Sequence, residues 1–317
     1  MGPDFIIIGA PKAGTTALHA ALAAHPGVAM CQPKEPKYWM CDDAPPPHWS
    51  GPGDKHSQQE WIWRRSDYEA LWSSAREGQL RGESTPFYLW HRGAQRRIAV
   101  ALPSVKLIAV VRDPIDRAYS NWMHLWCDGL EREPDFLRAF DLAEARAEAG
   151  YAPFWRYREL GLYGEQLESL VSLVGPERVL VLRYRDLVDS PAETLDRACG
   201  FLGLRPGLLD SVPKDNARLY VEPGWRPRVV GPLIRGGSWL GQFAAPERWR
   251  AIEPHLIRQL SGRGEAHRPR LTPAQRASLV PVFADDIKLL SEITGDDYSA
   301  WTSTESRGSF QERVGRS

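Results

Sequence analysis

The sequence has no excess of charge of either sign. Its 317 residues include 40 Lys and Arg against 40 Asp and Glu, so the formal net charge is zero. Binding of DNA or RNA depends on a strong excess of positive charge over the phosphate backbone. We therefore exclude nucleic acid as the main partner, while a local basic pocket stays compatible with this balance.

The sequence also lacks a hydrophobic run of the roughly 20 residues that a membrane-spanning helix needs. The first apolar run, at 5–8, is only four residues long, and no basic stretch precedes it as in a secretory signal. We therefore expect a cytoplasmic protein without a membrane partner.

Cysteine is scarce, and the four cysteines form no Cys-x-x-Cys pair. The sequence thus has neither the spacing of a zinc site nor that of a redox motif, and we expect no metal. Thiols stay reduced in the cytoplasm, so a bridge between Cys31 and Cys41 is the less favoured alternative.

Apolar runs alternate with helical segments along most of the chain. Three continuous runs have the character of strands buried on both faces of a parallel sheet: 5–8, 105–111 and 179–182. Helical composition follows each run and returns at 271–294. This alternation predicts an α/β fold, a P-loop-like parallel β-sheet flanked by helices. Because no repeat or long linker interrupts it, we predict a single domain over 1–302 and a disordered tail over 303–317.

The most informative segment is Gly9-Ala10-Pro11-Lys12-Ala13-Gly14-Thr15-Thr16, which follows the first predicted strand and opens a helix. In that position, successive backbone N–H groups and a helix N-terminus bind phosphate. Gly9 and Gly14 permit close approach of the backbone, and Thr15 and Thr16 offer hydroxyls in the first helical turn. We predict a phosphate-binding loop here.

This loop is not a Walker A motif, because Thr15 and not lysine follows Gly14. The lysine of the loop, Lys12, lies in its middle, and no acidic partner for Mg²⁺ stands out. A Mg²⁺-dependent nucleotide kinase is therefore the alternative function. A nucleotide-binding module without turnover and a βα turn without a ligand are the alternatives without catalysis.

A second polar motif, Arg112-Asp113-Pro114-Ile115-Asp116-Arg117-Ala118-Tyr119-Ser120, follows the second predicted strand. Arg112 lies where a parallel strand ends, which is the usual ligand-binding edge of such a sheet. Ser120 comes two helical turns later and can face the same side, so the pair predicts a second phosphate site with Arg112 as a bidentate donor. Two phosphate sites indicate a nucleotide phosphorylated at both ends. We assign Arg117 to the surface or to an ion pair with a neighbouring aspartate.

Together the two motifs resemble those of sulfotransferases that use 3′-phosphoadenosine-5′-phosphosulfate (PAPS). The likeness is closer to the branch of heparan sulfate N- and 3-O-sulfotransferases and their bacterial relatives than to the phenol and steroid enzymes. Lys34-Glu35-Pro36-Lys37-Tyr38-Trp39 resembles that branch's Lys-Glu-Pro-aromatic segment. Gly82-Glu83-Ser84-Thr85-Pro86 with Tyr88 resembles its Glu-Lys-(Thr/Ser)-Pro segment. The resemblance covers residues 4–203.

The resemblance implies sulfuryl transfer from PAPS to a hydroxyl or amine of a small-molecule acceptor, with 3′-phosphoadenosine-5′-phosphate (PAP) as the other product and no metal. It implies that Lys12 stabilises the charge on the leaving phosphate. The residues implied to bind the donor are Lys12, Ala13, Gly14, Thr15 and Thr16 around the 5′-phosphosulfate, and Arg112 and Ser120 at the 3′-phosphate.

Two residues match proton acceptors of the family. Glu35 matches the general base that takes the proton of the attacking group. His124, four residues after Ser120, matches a histidine near the sulfuryl group. Which of the two is the base stays open, as do a plain loop charge for Glu35 and a packing role for His124. The candidate acceptor contacts in the two further motifs are Lys34, Lys37, Trp39, Thr85 and Tyr88.

The chain departs from the family at a position that bears on the acceptor. Ser84 stands where lysine is common, which disfavours a polyanionic polysaccharide. Five tryptophans between residues 39 and 72 predict the wall or lid of a pocket for a ring-bearing molecule. By analogy alone, that molecule is a bacterial secondary metabolite. The adenine-side loop has two candidates, Arg218 and Arg235-Gly236-Gly237.

Overall fold

The computed structural model describes residues 2–41, 43–53, 61–213 and 270–303. These residues form one sheet of five strands: β1 (Phe5–Gly9), β2 (Val28–Met30), β3 (Leu80–Ser84), β4 (Lys106–Val111) and β5 (Val179–Arg183). The order across the sheet is β2-β3-β1-β4-β5, and every neighbouring pair is parallel. The predicted parallel α/β fold is confirmed. The domain boundary at 302 stays a prediction, and residues 304–317 lie outside the described part.

Burial and composition explain why β1 and β4 could be predicted from the sequence whereas β2 and β3 could not. β1 and β4 are buried along almost their whole length, which requires a continuous apolar sequence. β2 has only three residues, and β3 carries Arg81 and Glu83, so neither gives that signal. Gly82 is required within β3, because a Cβ there would lie 2.5 Å from the Phe5 ring.

Helices cover both faces of the sheet. The α-helices of the described residues are α1 (Thr15–Ala23), α2 (Arg65–Ala70), α3 (Arg92–Ala101), α4 (Pro114–Cys127), α5 (Phe136–Asp141), α6 (Ala143–Glu148), α7 (Tyr163–Val174), α8 (Tyr184–Asp189), α9 (Pro191–Leu202) and α10 (Pro273–Thr294). Short 3₁₀ turns occupy Tyr38–Met40, Pro153–Trp155, Glu159–Gly161, Pro176–Arg178 and Ser299–Thr302. None of the described helices is long and apolar enough to cross a membrane.

The late helix α10 docks against the body of the fold through a buried carboxylate. Its N-terminus has a capping box in which Thr272 and Gln275 satisfy each other's backbone N–H groups. Further along, Asp286 accepts hydrogen bonds of 2.9 Å from the backbone N–H groups of both Gly164 and Glu165, in the first turn of α7. These contacts hold α10 against the N-terminus of α7.

Two of the five clustered tryptophans belong to the core, so the lid prediction is wrong for them. Trp39 and Trp72 are 9% and 6% exposed. Their indole N–H groups donate to the Tyr68 hydroxyl at 2.8 Å and to the Gly82 carbonyl at 3.1 Å. Such satisfied indoles stabilise the interior instead of facing a ligand. The other three are half-buried.

The four cysteines are free thiols, three of them buried. The alternative of a Cys31–Cys41 bridge is therefore not realised. Burial, with the nearby Glu83 carboxylate, raises the pKa of Cys31 to about 12, so this thiol stays protonated and unreactive.

Candidate functional site

The candidate site lies at the carboxyl edge of the sheet. All five strands are parallel, so the segments that follow them emerge at one edge. The segments after β1 and β4 are neighbours there, and they lie where the strand order reverses direction. In open α/β sheets, this reversal is the crevice in which ligands bind.

The loop between β1 and α1 has the shape of a phosphate-binding turn. Gly14 caps α1 with a φ of 91°, a conformation that favours glycine. A Cβ at this position would also lie 2.8 Å from Cδ2 of Tyr184. Ala13 and Thr15 are buried, whereas Thr16 is exposed at the start of the helix. The loop therefore presents backbone N–H groups at the positive end of a nine-residue helix.

Arg112 joins this loop to the second motif. Its Nη1 donates a hydrogen bond of 3.2 Å to the carbonyl of Lys12. Its guanidinium lies 4.7 Å from the centroid of the Tyr184 ring. Tyr184 was missed in the sequence, although it follows β5 at the same sheet edge and could have been found by that position. The two predicted phosphate motifs are thus in contact.

Helix α4 carries the next two predicted residues on its second and third turns. Ser120 is half-buried. The ring of His124 lies with its Nδ1 3.4 Å from Nζ of Lys12. On the other side of the ring, Nε2 is 3.6 Å from Oδ2 of Asp128. Asp128, His124 and Lys12 therefore form a row that ends at the phosphate loop.

Glu35 lies on the β2–β3 side of the same edge. Its backbone N–H donates 3.0 Å to the carbonyl of Ser84, which ties it to the end of β3. Its carboxylate is paired with the ammonium of Lys34, and its side chain keeps 32% exposure. Glu35 adopts a φ of 63°, in the left-handed region. An accessible carboxylate thus stands on a conformationally constrained segment.

Four of the five predicted acceptor contacts have partners inside the protein. Lys37, Trp39, Thr85 and Tyr88 are all buried. The backbone N–H groups of Lys37 and Trp39 donate to the hydroxyls of Thr85 and Tyr88 at 3.3 and 3.2 Å. Among the five, Lys34 is the one that lies beside Glu35 at the surface.

Two buried titratable groups lie close behind these residues. Burial raises the pKa of Glu83 from its ordinary 4.5 to about 7, even though several hydroxyls donate to it. Burial, aided by the positive charge of Lys34, lowers the pKa of His19 on α1 to about 4. Glu83 stood in one of the quoted motifs, but its burial had no sequence signal.

The prediction for Arg117 is wrong. This side chain of α4 is fully buried. Its Nη1 donates to Oδ1 of Asn121 at 3.0 Å, and its Nη2 donates to the carbonyl of Tyr157. Burial lowers its pKa to about 10. The helical spacing turns Arg117 towards the interior, away from the aspartates of its own motif.

Those aspartates pair instead with Arg276 of α10. Its Nη1 lies 3.3 Å from Asp116, and its Nη2 donates to Asp113. The same guanidinium donates to the carbonyls of Trp301 and Ser303 at 3.0 and 2.8 Å. Asp113 in turn caps α4 directly after Arg112, so the late helix braces the second phosphate motif. The candidates for the adenine-side loop, at 218 and 235–237, lie outside the described residues.

Comparisons with known proteins agree on one family. The model of the sulfotransferase family matches residues 3–206. Heparan sulfate glucosamine 3-O-sulfotransferase 3A1 of Mus musculus is 32% identical over 209 residues, which are 66% of this chain and 47% of that protein. Bifunctional heparan sulfate N-deacetylase/N-sulfotransferase 3 of Mus musculus is 27% identical over 211 residues, or 64% and 22% of the two chains.

A solved structure extends the likeness to nearly the whole chain. The sulfotransferase from Alicyclobacillus acidocaldarius has a TM-score of 0.74 and 25% identity, over 96% of this chain and 100% of that one. The chain spans about half the length of the first curated relative, which is 47% covered.

Proposed function

The chain belongs to the sulfotransferase family, and on that premise we propose that it transfers a sulfuryl group from PAPS to a hydroxyl or amine of a small-molecule acceptor. The observation that carries the proposal is the contact between the two anion-binding motifs. Arg112 donates to the carbonyl of Lys12 at 3.2 Å. Two cationic residues that follow the adjacent strands β1 and β4 therefore lie at one crevice. This arrangement suits a nucleotide that has phosphates at two separate positions.

The residues present fit such a donor. The N-terminus of α1 and the left-handed Gly14 would hold the 5′-phosphate, and Arg112, backed by the Tyr184 ring, would hold the 3′-phosphate with Ser120. PAPS supplies the sulfuryl group and leaves as PAP. The ammonium of Lys12 would then offset the charge on the departing phosphate oxygen, a preorganised electrostatic contribution.

We assign proton transfer to Glu35. Its carboxylate is partly exposed, whereas both ring nitrogens of His124 face charged partners, Lys12 and Asp128. Glu35 would take the proton of the acceptor hydroxyl or amine as the new bond to sulfur forms. His124 would orient the Lys12 ammonium towards the leaving group.

Two observations bear on the chemical class of the acceptor. The buried Ser84 gives the site no cation where the family often has lysine, which favours a small acceptor over a polyanion. The named relatives include a glucosamine 3-O-sulfotransferase, so a glucosamine saccharide belongs in any acceptor panel.

The test is calorimetric binding of PAP, AMP and ATP, with and without Mg²⁺, to the wild type and to Arg112→Ala. We expect metal-independent binding of PAP that is at least tenfold tighter than that of AMP and is lost in the variant. Arg183→Ala is the matched control, because Arg183 ends β5 and stacks on a tyrosine at 4.6 Å in the same way. Preference for ATP with Mg²⁺ would overturn the proposal in favour of a kinase.

Turnover is then followed as PAP formed from PAPS with p-nitrophenol, an alkyl glycoside and a glucosamine tetrasaccharide. Tight binding of PAP without turnover on any of these would favour the alternative of a nucleotide-binding module.

A further inference from the structure

The segment that carries Glu35 has a strained backbone. Glu35 and Lys37 have φ values of 63° and 59°, in the left-handed region that residues with a Cβ avoid. Each such residue costs about 1–2 kcal/mol. Conformations of this kind persist where surrounding contacts over-determine them, and they cluster at functional sites. The contacts that hold this segment therefore bear on the position of the candidate base.

Three hydroxyl groups hold residues 37–39. The hydroxyl of Thr85 accepts from the Lys37 backbone N–H at 3.3 Å, and that of Tyr88 accepts from the Trp39 backbone N–H at 3.2 Å. The hydroxyl of Tyr68, on α2, accepts from the Trp39 indole at 2.8 Å. The ring of Tyr68 also stacks on Tyr38 with 4.1 Å between centroids.

Two of these hydroxyls, those of Thr85 and Tyr68, donate their protons to one carboxylate, that of Glu83. Thr85 donates to Oε1 of Glu83 at 2.9 Å, and Tyr68 donates to Oε2. A hydroxyl has a single proton, so each one that donates to Glu83 keeps its lone pairs for the N–H groups of the segment. The arrangement requires an acceptor-only group at position 83, which an ionised carboxylate is and an amide is not.

We propose that Glu83 is a positioning residue for the transfer reaction: its buried carboxylate fixes the direction of two hydroxyls that bind the 37–39 segment, and so holds Glu35 where it takes the acceptor's proton. The proposal rests on the proposed function in that Glu35 is the base. Glu83 itself has 0% exposure, so it acts through the segment and does not touch the reacting atoms.

The charge state of Glu83 gives the proposal a signature. Burial raises its pKa to about 7, and the titratable groups that face it are Tyr68 from α2, Tyr88 beyond β3 and Cys31 beyond β2. Burial raises the pKa of all three, so they stay neutral near pH 7. A protonated carboxyl brings a donor where hydroxyls already donate, and at least one of the two bonds is then lost.

The effect on global stability has the opposite sign. Because the pKa of Glu83 is higher in the folded protein than its ordinary value of 4.5, acidification from about 7 towards 4.5 favours the folded state at this group. If Glu83 had a purely structural role, acidification would increase the protection of residues 35–40 together with the stability of the fold. If Glu83 has a positioning role, acidification loosens residues 35–40 while the contribution of Glu83 to folding stability grows.

The first experiment is hydrogen–deuterium exchange of peptides that cover residues 35–40 in the wild type between pH 5.5 and 8.5, corrected for intrinsic exchange. We expect protection to fall several-fold as the pH drops below 7. In Glu83→Gln we expect low protection at every pH. The matched control is Glu131→Gln, which removes another buried carboxylate, bonded to Arg146 and Tyr157, far along the chain. It should leave the protection of 35–40 unchanged.

The kinetic arm measures PAP formation with the acceptor that the wild type uses best among the three named probes. Glu83→Gln should lose at least tenfold in kcat, with the KM for PAPS and the affinity for PAP within twofold of the wild type. If this variant does not fold, Tyr68→Phe replaces it, because it removes one of the two donors to Glu83 and should give a smaller loss of the same kind.

The outcomes separate the two proposals. A wild type that turns over none of the probes contradicts the proposed function, and the exchange data still decide the role of Glu83. Protection of 35–40 that is independent of pH, or a Glu83→Gln enzyme with unchanged kcat, would overturn the positioning role while leaving sulfuryl transfer intact.

Discussion

Lys12 and His124, 112 residues apart in the sequence, meet across the candidate site with 3.4 Å between Nζ and Nδ1. An ammonium can only donate, so Nδ1 accepts and the ring proton is on Nε2, which faces Asp128 at 3.6 Å. In this tautomer the histidine directs the lysine. In the same tautomer neither ring nitrogen can take the proton of the sulfuryl acceptor, because Nδ1 accepts from Lys12 and Nε2 already carries a proton.

Glu35→Gln and His124→Asn should therefore differ in kind. We expect Glu35→Gln to lose at least about 10²-fold in kcat, the usual contribution of a general base. His124→Asn should lose about tenfold, because it disturbs only the direction of Lys12. Single-turnover rates of PAP formation measure both. Equal losses would return His124 to the role of base.

Lys12→Met should lower kcat by about 10²–10³-fold and change the affinity for PAP by less than about tenfold, since its charge acts on the transition state. Lys106→Met is the matched control. That lysine lies at the start of β4, at the opposite edge of the sheet, and donates to the Phe201 carbonyl at 2.6 Å. Steady-state kinetics and calorimetry of both variants make the comparison, and a similar loss in the control would contradict the assignment.

Gly14→Ala should abolish PAP binding, because a Cβ at 14 would lie 2.8 Å from the Tyr184 ring. Gly203→Ala is the control that introduces backbone strain without a steric clash. Gly203 has a similar positive φ of 79°, but no atom lies within 4 Å of its Cβ position. We expect the control to lose some thermal stability and keep PAP binding. Equal binding losses in the two variants would contradict the steric explanation.

Arg276→Met should lower the free energy of unfolding by about 3–5 kcal/mol, because it leaves the largely buried carboxylate of Asp113 without its cation. It should also weaken PAP binding through Asp113, the neighbour of Arg112. Arg138→Met, which breaks an exposed pair with Glu133 at 3.2 Å, should cost less than about 1 kcal/mol. Urea unfolding and calorimetry test both expectations, and an Arg276 variant as stable as the control would show that α10 does not brace the motif.

His19→Leu should make the free energy of unfolding depend less on pH below about 6.5. The pKa of His19 is about 4 in the folded protein against an ordinary 6.5. Its neutral ring therefore contributes stability above pH 6.5 that is lost as the pH falls towards 4, about 3 kcal/mol in all. Unfolding free energies between pH 7.5 and 4 measure this. A variant that keeps the wild-type slope in that window would contradict the expectation.

The sequence was informative where chemistry and burial leave a local pattern. β1 and β4 are apolar throughout because both faces are covered, and the loops after them keep glycine, lysine and arginine at fixed positions. Those patterns were enough to predict the parallel sheet and to propose two phosphate-binding motifs at its ligand edge, whereas the contact between Arg112 and Lys12 came from the structure.

What the sequence did not indicate depends on contacts between distant segments. Arg117 and Arg276 are both single arginines within helices, and only packing decides that the first is buried and that the second holds Asp113. The position of Tyr184 after a strand and that of Glu83 within a motif were visible in the sequence, but the contact of Tyr184 with Arg112 and the burial of Glu83 were not. Their roles follow from which loops the parallel sheet brings to one edge.

Tyr184 has a consequence for how this site can vary among relatives. The ring of Tyr184 excludes a Cβ at Gly14 by steric clash and also stacks with the guanidinium of Arg112. A smaller residue at 184 would remove the steric clash with a Cβ at position 14 and at the same time remove the ring that supports the guanidinium of Arg112. Positions 14, 112 and 184 should therefore change together or not at all, a pattern of inheritance that sequence distance alone would never suggest.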